Sequence, residues 1–427
     1  MDHPNSQRAL AYFDDLFPLD PPLMATQLKQ APRGQDIIAD VLAFDGFGAT
    51  TICETKGEIP YFINEFWTSG QRQAHSIHEV SYRACFKAQL PEFFISRLTD
   101  PGDSVYDPFM GRGTTPVQAA LLGRRPLGND INPLSKLLVR ARLEPPSLFD
   151  VVNALESIPW TRPVAIREDL LVFYHPETLS RLTNLREYLL QKVPIDDPAP
   201  DPVLDWIRMV AINRLTGHSP GFFSVYTLPP NQAVSVDAQR KINAKRSQSP
   251  EPRDIARIIM KKSKSLLSDG QMPRHPAGKL LTGASTASHA IADGEVDLVV
   301  TSPPFLDIVQ YAQDNWLRCW FAGIDVDQVE IAMHKTEASW TAMVRETLIE
   351  QARIVRSGGH IAFEVGEVRN GKILLEQLVW AAAEGLPFDR LGVMVNQQNF
   401  TKTANCWGVS NNSSGTNTNR IVLLRRE

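Results

Sequence analysis

Cysteine is scarce. The four in 427 residues are Cys53, Cys85, Cys319 and Cys406. They lie too far apart for CxxC or zinc-finger spacing, which excludes a disulfide scaffold and a structural zinc site, and no metal is expected. No apolar run reaches the roughly 18 residues of a membrane span, so no membrane partner is expected. The opening stretch, Met1 to Leu10, lacks the basic-then-apolar pattern of a secretion signal, and a reducing cytoplasm is the default expectation. An excess of either charge is also missing. The 44 Lys+Arg against 48 Asp+Glu leave −4, which announces no nucleic-acid partner but can hide a local basic patch. No repeat with a period of about 20–50 residues is visible. At 43% hydrophobic and 22% charged residues, the chain reads as globular, not disordered, coiled-coil or collagen-like. Its length suits two or three domains, or one large core with an insertion.

What is present is punctuation. Residues 1–74 carry Pro18, Pro21, Pro22 and Pro32 and a short predicted helix over 6–17; they read as an N-terminal arm. From Ser104 a strand–loop–helix–strand–helix alternation predicts a parallel sheet. Its parts are Ser104–Asp107, a Gly-rich turn, a helix over 114–122, a strand over 125–130 and a helix over 133–142. The alternation stops at 145 and resumes at 278. Residues 145–277 are proline-rich and mostly helical, which makes them an insertion, and such insertions usually carry specificity. After it, strands are predicted at 280–282, 296–301, 360–365, 391–395 and 421–424. Helices are predicted at 308–321, 339–355 and 373–384, with Gly358-Gly359 breaking the second. A polar loop with seven asparagines, from Asn396 to Asn419, joins the last two strands. The resulting division is 1–74 arm, 75–144 cofactor-binding half, 145–277 inserted recognition region and 278–427 catalytic half.

Two motifs carry chemistry. The first is Asp107-Pro108-Phe109-Met110-Gly111-Arg112-Gly113-Thr114-Thr115, a turn from a strand into a helix N-terminus. Its two glycines let a ligand approach the backbone. The third glycine of the dinucleotide fingerprint is absent, and so is the Gly-Lys-Ser/Thr of a phosphate loop. A ligand needing close backbone contact but no pyrophosphate cradle fits, and S-adenosylmethionine is one. Asp107 suits its cationic amino acid end. Asp130, ending the next strand in Asp130-Ile131-Asn132-Pro133, lies where ribose hydroxyls would bind.

The second motif is Thr301-Ser302-Pro303-Pro304-Phe305. Two prolines after an apolar strand fix a rigid turn. It offers a hydroxyl, a proline carbonyl and an aromatic face, a set that can grip a planar amino-substituted base. Drawing the amino hydrogens out of the ring plane localises the nitrogen lone pair and aims it at a methyl group.

Together these strings resemble the S-adenosylmethionine-dependent DNA amino-methyltransferases, and the Ser-Pro-Pro form is similar to the cytosine-N4 branch. The resemblance covers about half the chain, residues 75–143 and 278–427. It implies a class I methyltransferase (Rossmann-like) α/β fold with a mixed seven-stranded sheet, its last strand antiparallel, and a mostly helical insertion. It also implies a cofactor site of Asp107, Pro108, Phe109, Gly111, Gly113, Thr114, Thr115, Asp130 and Asn132. Phe86 and Lys87 would join them from a helix preceding the loop and closing over the methionine moiety. Ser302, Pro303, Pro304 and Phe305 would form the catalytic turn. The cofactor loop precedes the catalytic turn here, a permuted order within the family. The implied activity is methylation of cytosine N4 in double-stranded DNA, in a restriction-modification or DNA-marking setting with a cognate endonuclease as a further partner. Adenine-N6 methylation of DNA and guanine-N2 methylation of RNA are the rival readings, and an idle DNA-binding specificity protein is the rival of another class.

The insertion supplies basic charge. From Gln239 to Lys279 eleven Lys/Arg face three acids, a net of +8. Clustered Lys/Arg neutralises phosphates, so Arg240, Lys241, Lys245, Arg246, Lys261, Lys262 and Lys264 are candidate DNA contacts. Phe400 and Trp407 in the Asn-rich loop are candidates to wall the base pocket. The stretch from Thr216 to Tyr226 is rich in glycine, hydroxyls and aromatics. It reads equally as a base contact or a buried loop, with His218 undecided.

Overall fold

The chain is described from a computed structural model, over residues 36–68, 74–82, 85–227, 233–304, 306, 311–329, 334–368, 373–397 and 418–427. The predicted helix at 6–17, Phe305, Phe400, Cys406 and Trp407 lie outside these residues.

Among the described residues, eleven strands fall in chain order. They are β1 Ile52–Lys56, β2 Ile59–Asn64, β3 Ser104–Asp107, β4 Arg125–Asp130, β5 Lys279–Thr282 and β6 Val296–Thr301, then β7 Val355–Val365, β8 Glu367–Val368, β9 Ile373–Leu374, β10 Phe388–Gln397 and β11 Thr418–Arg426. Nine of them form one sheet in the order β1-β2-β10-β11-β7-β6-β3-β4-β5, and β8 pairs with β9 separately. From β10 to β5 the sheet matches expectation: parallel throughout except β11, which runs antiparallel to β10 and β7. The expected count of seven is corrected to nine. The two extra strands come from the segment read as an arm, where β2 pairs in parallel with β10 and β1 turns back antiparallel.

The strand sequences explain their burial. In β11, Ile421 and Leu423 join the core on one face while Val422 and Leu424 join the core on the other. In β6, Leu298 and Val300 face one way and Val299 the other. A near-continuous apolar run is what a strand covered on both faces requires. The helices doing the covering include α1 Ile37–Leu42, α2 Gln89–Leu98, α3 Thr114–Leu121 and α4 Pro133–Leu143. The insertion adds α5 Leu148–Glu156, α6 Pro176–Lys192, α7 Pro202–Ile212, α8 Val236–Arg246 and α9 Ile255–Leu266. After it come α10 Tyr311–Ala322, α11 Glu337–Ile354 and α12 Leu375–Ala382.

Residues 145–277 are mostly helical and share one core with α4 and α10, including the buried Trp206, Leu137 and Leu317. Arg140 on α4 grips Asp205 on α7 through two hydrogen bonds of 2.9 Å. Such a fork on a buried carboxylate fixes orientation as well as distance.

Two boundaries differ from expectation. Gly358-Gly359 does not separate helix from strand, because β7 begins at Val355. The glycines instead form a bulge: Val296 pairs with Val355 but Leu298 pairs with His360, with Gly358 at φ +72°. The helix expected from 373 starts at Leu375, because Ile373 and Leu374 form β9.

Candidate active site

The Gly-rich turn sits at the carboxyl ends of β3 and β4. Asp107 ends β3 and is fully buried. Its Oδ1 accepts the Thr301 hydroxyl at 2.6 Å and the Phe109 amide at 3.0 Å. Burial pushes the carboxyl up to about 7; the Thr301 and Phe109 bonds oppose that rise and the nearby Asp130 charge adds to it. Asp130 ends β4. Its Oδ2 accepts the Gly111 amide at 2.8 Å and its Oδ1 accepts the Asn132 amide at 2.9 Å. Burial raises this carboxyl too. Gly113 has φ +78°, and a Cβ there would lie 2.2 Å from Val139 Cγ2. Glycine is therefore required both by the backbone and by the seating of α3 on α4.

The Pro-Pro turn begins where β6 ends, beside β3. Thr301 bonds Asp107 directly, and Thr115 Oγ1 donates to the Val300 carbonyl at 2.9 Å. The two motifs, 194 residues apart, are thus joined side chain to side chain. The indole N–H of the buried Trp340 donates to the Pro304 carbonyl at 2.8 Å. That bond anchors the turn.

Behind Ser302 stands Glu364 of β7, which sequence reasoning missed. It is buried and hydrogen-bonded to Ser302, and its Oε1 accepts from Asn419 Nδ2 at 3.0 Å. Burial raises its carboxyl, against both bonds. The available signal was a lone acid in the otherwise apolar stretch Ile361 to Val365, at the carboxyl end of a parallel strand.

One cavity of about 520 Å³ joins the motifs. Phe86, Asp107, Pro108, Phe109, Gly111, Thr114, Asp130 and Asn132 line it, together with Ser302 and Pro304. Gly113, Thr115, Pro303 and Lys87 do not line it. The opposite wall is Ser285 and Thr286 after β5, with Met343 and Glu346 of α11. That wall carried no sequence motif.

Where a helix carrying Phe86 and Lys87 was expected before the loop, the described residues hold a single 3-10 turn, Ser76–His78, and α2 begins only at Gln89. Arginines hold this stretch by its carbonyls. Arg112 donates to Val80 and Phe86 at 3.0 and 3.1 Å, and Arg142 donates to Ile77 at 3.3 Å and to the Arg112 carbonyl. Their charge and burial have visible effects. His78, buried and bonded to Gln118 at 2.8 Å, is lowered to about 3, mainly by burial and then by Arg142. Lys87 is half-buried and lowered by burial and by Arg112.

The basic run is partly spent within the protein. Arg240 pairs with Asp237 at 2.8 Å, Lys262 with Glu79 at 3.2 Å, and Arg246 stacks 3.7 Å from the Tyr226 ring centroid. Lys241, Lys245 and Lys261 are exposed, and Lys264 is half-buried. Asn396, placed by its sequence in the polar loop, belongs to β10 and is buried. Its side chain clamps the backbone of Phe66 and Trp67 at 2.8–3.2 Å.

The residues present fit S-adenosylmethionine. A buried carboxylate on the floor awaits a cation, and each oxygen of Asp130 keeps a lone pair for a hydroxyl donor. Phe109, Ile131 and Met343 offer apolar walls for a planar base.

Residues 44–137 match the family model described as DNA methylase, the N6/N4 methyltransferase family. The type II methyltransferase M.MjaII of Methanocaldococcus jannaschii is 40% identical over 73 residues, 17% of this chain and 13% of that protein. The type II methyltransferase M.BsoBI of Geobacillus stearothermophilus is 22% identical over 298 residues, 60% of this chain and 54% of that protein. The chain therefore spans about half the length of these relatives, or less. A solved Thermus thermophilus protein, a putative DNA modification methylase complexed with S-adenosyl-L-methionine, aligns over 33% of this chain and 51% of that one, at 19% identity and a TM-score of 0.21. No described helix is long and apolar enough to cross a membrane. The segment that carries Asp107 and Asp130 is thus the one similar to the DNA N6/N4 methylase family.

Proposed function

We propose that the chain methylates the exocyclic N4 of cytosine within a specific sequence of double-stranded DNA, as the modification arm of a restriction or DNA-marking system. The observation that carries this reading is the single cavity in which Asp107 and Asp130 share walls with Ser302 and Pro304. Bound S-adenosylmethionine supplies an electrophilic methyl group. Asp107 would hold its ammonium end and Asp130 its ribose, with Phe109 and Met343 along the adenine.

Everything else falls to the chain's own groups. A base inside a duplex cannot reach this cavity, so the target nucleotide is extruded. Ser302 accepts one of the amino hydrogens. Glu364 accepts the Ser302 hydroxyl hydrogen, which turns the serine lone pairs toward the amine. These bonds strengthen as the nitrogen pyramidalises, so they favour the transition state over the ground state. No protein nucleophile is needed, because the amine itself takes the methyl group, leaving S-adenosylhomocysteine, and its surplus proton passes through Ser302 to Glu364.

Adenine N6 is the second reading, since the matching family model embraces both nitrogens. The serine before the prolines favours cytosine. The test is transfer of a labelled methyl group to unmethylated duplex DNA by the wild type and by Ser302→Ala. Incorporation is expected from the wild type and little from the variant, at equal cofactor affinity. Full activity of Ser302→Ala would overturn the catalytic role.

A further inference from the structure

Outside the cavity, one arginine, Arg214, lies in the field of another, Arg318. Arg318 of α10 is buried; its Nη2 donates to the Ser81 carbonyl at 3.1 Å and its Nη1 to Asn315 Oδ1 at 3.0 Å. Arg214, just after α7, is half-buried. Its guanidinium lies 4.2 Å from the Phe222 ring centroid, and its Nε donates to the Asn213 carbonyl at 2.8 Å. Burial, and then the neighbouring Arg318 charge, lower Arg214 to about 10. Lys262 is a third cation in the same neighbourhood, with Nζ 3.2 Å from the half-exposed Glu79 and in the field of Arg214. Glu79 also faces Arg214, and Asp314 faces Arg318. Among the described residues Arg214 forms no ion pair with a carboxylate.

Crowding like charges away from water is unfavourable, and an arriving anion relieves it. The local architecture fits one kind of anion. Phe222 is held tightly: a Cβ on Gly217 would lie 2.3 Å from its ring, and Thr227 N bonds the Gly217 carbonyl at 3.0 Å to close the loop. Phe222 in turn fixes the plane of the Arg214 guanidinium. A fixed guanidinium fork matches phosphate oxygens better than a mobile ammonium does. The cluster also sits beside the cavity, because Arg318 lies 5.8 Å from the ring of Tyr82, which lines it.

We propose that Arg214, backed by the charge of Arg318, seats a DNA phosphodiester flanking the extruded nucleotide. This rests on the DNA-methyltransferase reading above. It moves the decisive phosphate contact from the basic run at 239–279 to the loop that precedes it.

The test is binding of a fluorescein-labelled duplex oligonucleotide to the full chain with sinefungin, over a salt series, for wild type, Arg214→Gln and Arg181→Gln. Arg181 on α6 is paired with Glu177 at 2.9 Å and serves as the control. Losing one phosphate contact lowers the log–log salt slope by about 0.9 and weakens binding roughly tenfold at low salt. That pattern is expected for Arg214→Gln alone, with the KM for DNA raised, kcat retained and sinefungin affinity unchanged. Should Arg214→Gln lose sinefungin binding through misfolding, Arg214→Lys decides: its slope stays at the wild-type value while affinity falls. A wild-type slope and affinity in Arg214→Gln, wild-type affinity in Arg214→Lys, or an equal change in Arg181→Gln would overturn the proposal. Wild-type preference for single-stranded RNA over duplex DNA would overturn DNA as the source of the phosphate. Failure of the underlying reading looks different, since the wild type would then transfer no methyl group to DNA whatever stands at 214.

Discussion

Asp107 should govern how cofactor affinity varies with pH. Burial lifts its carboxyl from 3.8 to about 7. The ammonium of a bound cofactor needs the ionised form, so the protein must release this proton to bind. Affinity should therefore be level above about pH 7 and fall about tenfold per pH unit below it, reaching roughly 100-fold at pH 5. Asp107→Asn should bind weakly at every pH, with no such slope. Stability moves the other way. A carboxyl raised in the folded state binds its proton more tightly folded than unfolded, so its contribution favours folding at low pH and is lost as pH rises from 3.8 through about 7. The full rise corresponds to about 4 kcal/mol as an upper bound. Asp107→Asn should thus melt higher than wild type at pH 8, while binding less. Asp130 and Glu364 shift in the same direction, so the informative quantity is the difference between wild type and Asp107→Asn. Calorimetric titration with S-adenosylhomocysteine from pH 5 to 8, beside thermal melts, reads both. A flat wild-type profile, or a variant melting lower at pH 8, would refute the reasoning.

Three further outcomes are expected. Gly113→Ala puts a methyl 2.2 Å from Val139 in a left-handed backbone, and should destabilise the fold by about 2–4 kcal/mol in denaturant titration; Val139→Ala added to it should restore part of that. Glu364→Gln removes the charged acceptor behind Ser302 and should lower kcat roughly 10- to 100-fold with unchanged cofactor affinity, a split that steady-state kinetics resolves. Thr301→Val removes a 2.6 Å bond to ionised Asp107 and should move the midpoint of the cofactor pH profile upward in the same calorimetric titration.

The strand ending in Thr301 was legible because burial on both faces leaves a plain mark, the nearly continuous apolar run from Val296, while those ending in Asp107 and Asp130 were legible from the turns and helices that follow them. β2 carries such a run, Ile59 to Ile63, buried on both faces but read as part of the arm, whereas β1 left no such mark. All five residues of β1 are exposed, so its sequence alternates for no core, and it holds its place only by pairing with β2. The cofactor turn and the Pro-Pro turn were legible because their chemistry is local in sequence. Glu364, Trp340 and the wall from Ser285 to Glu346 were not, since each meets the site only through the sheet's topology. The basic run was visible as composition, but Lys262 and Glu79 lie 183 residues apart in sequence, and no count of charges shows that one is paired with the other.

The most direct test of the cytosine-N4 reading is nucleoside mass spectrometry of unmethylated genomic DNA after incubation with the protein and isotopically labelled S-adenosylmethionine. Label is expected in N4-methylcytosine, abolished by Ser302→Ala. Label in N6-methyladenine would keep the cavity and its chemistry but contradict the base assigned to Ser302. An absence of label in DNA, with cofactor bound, would contradict DNA methylation itself.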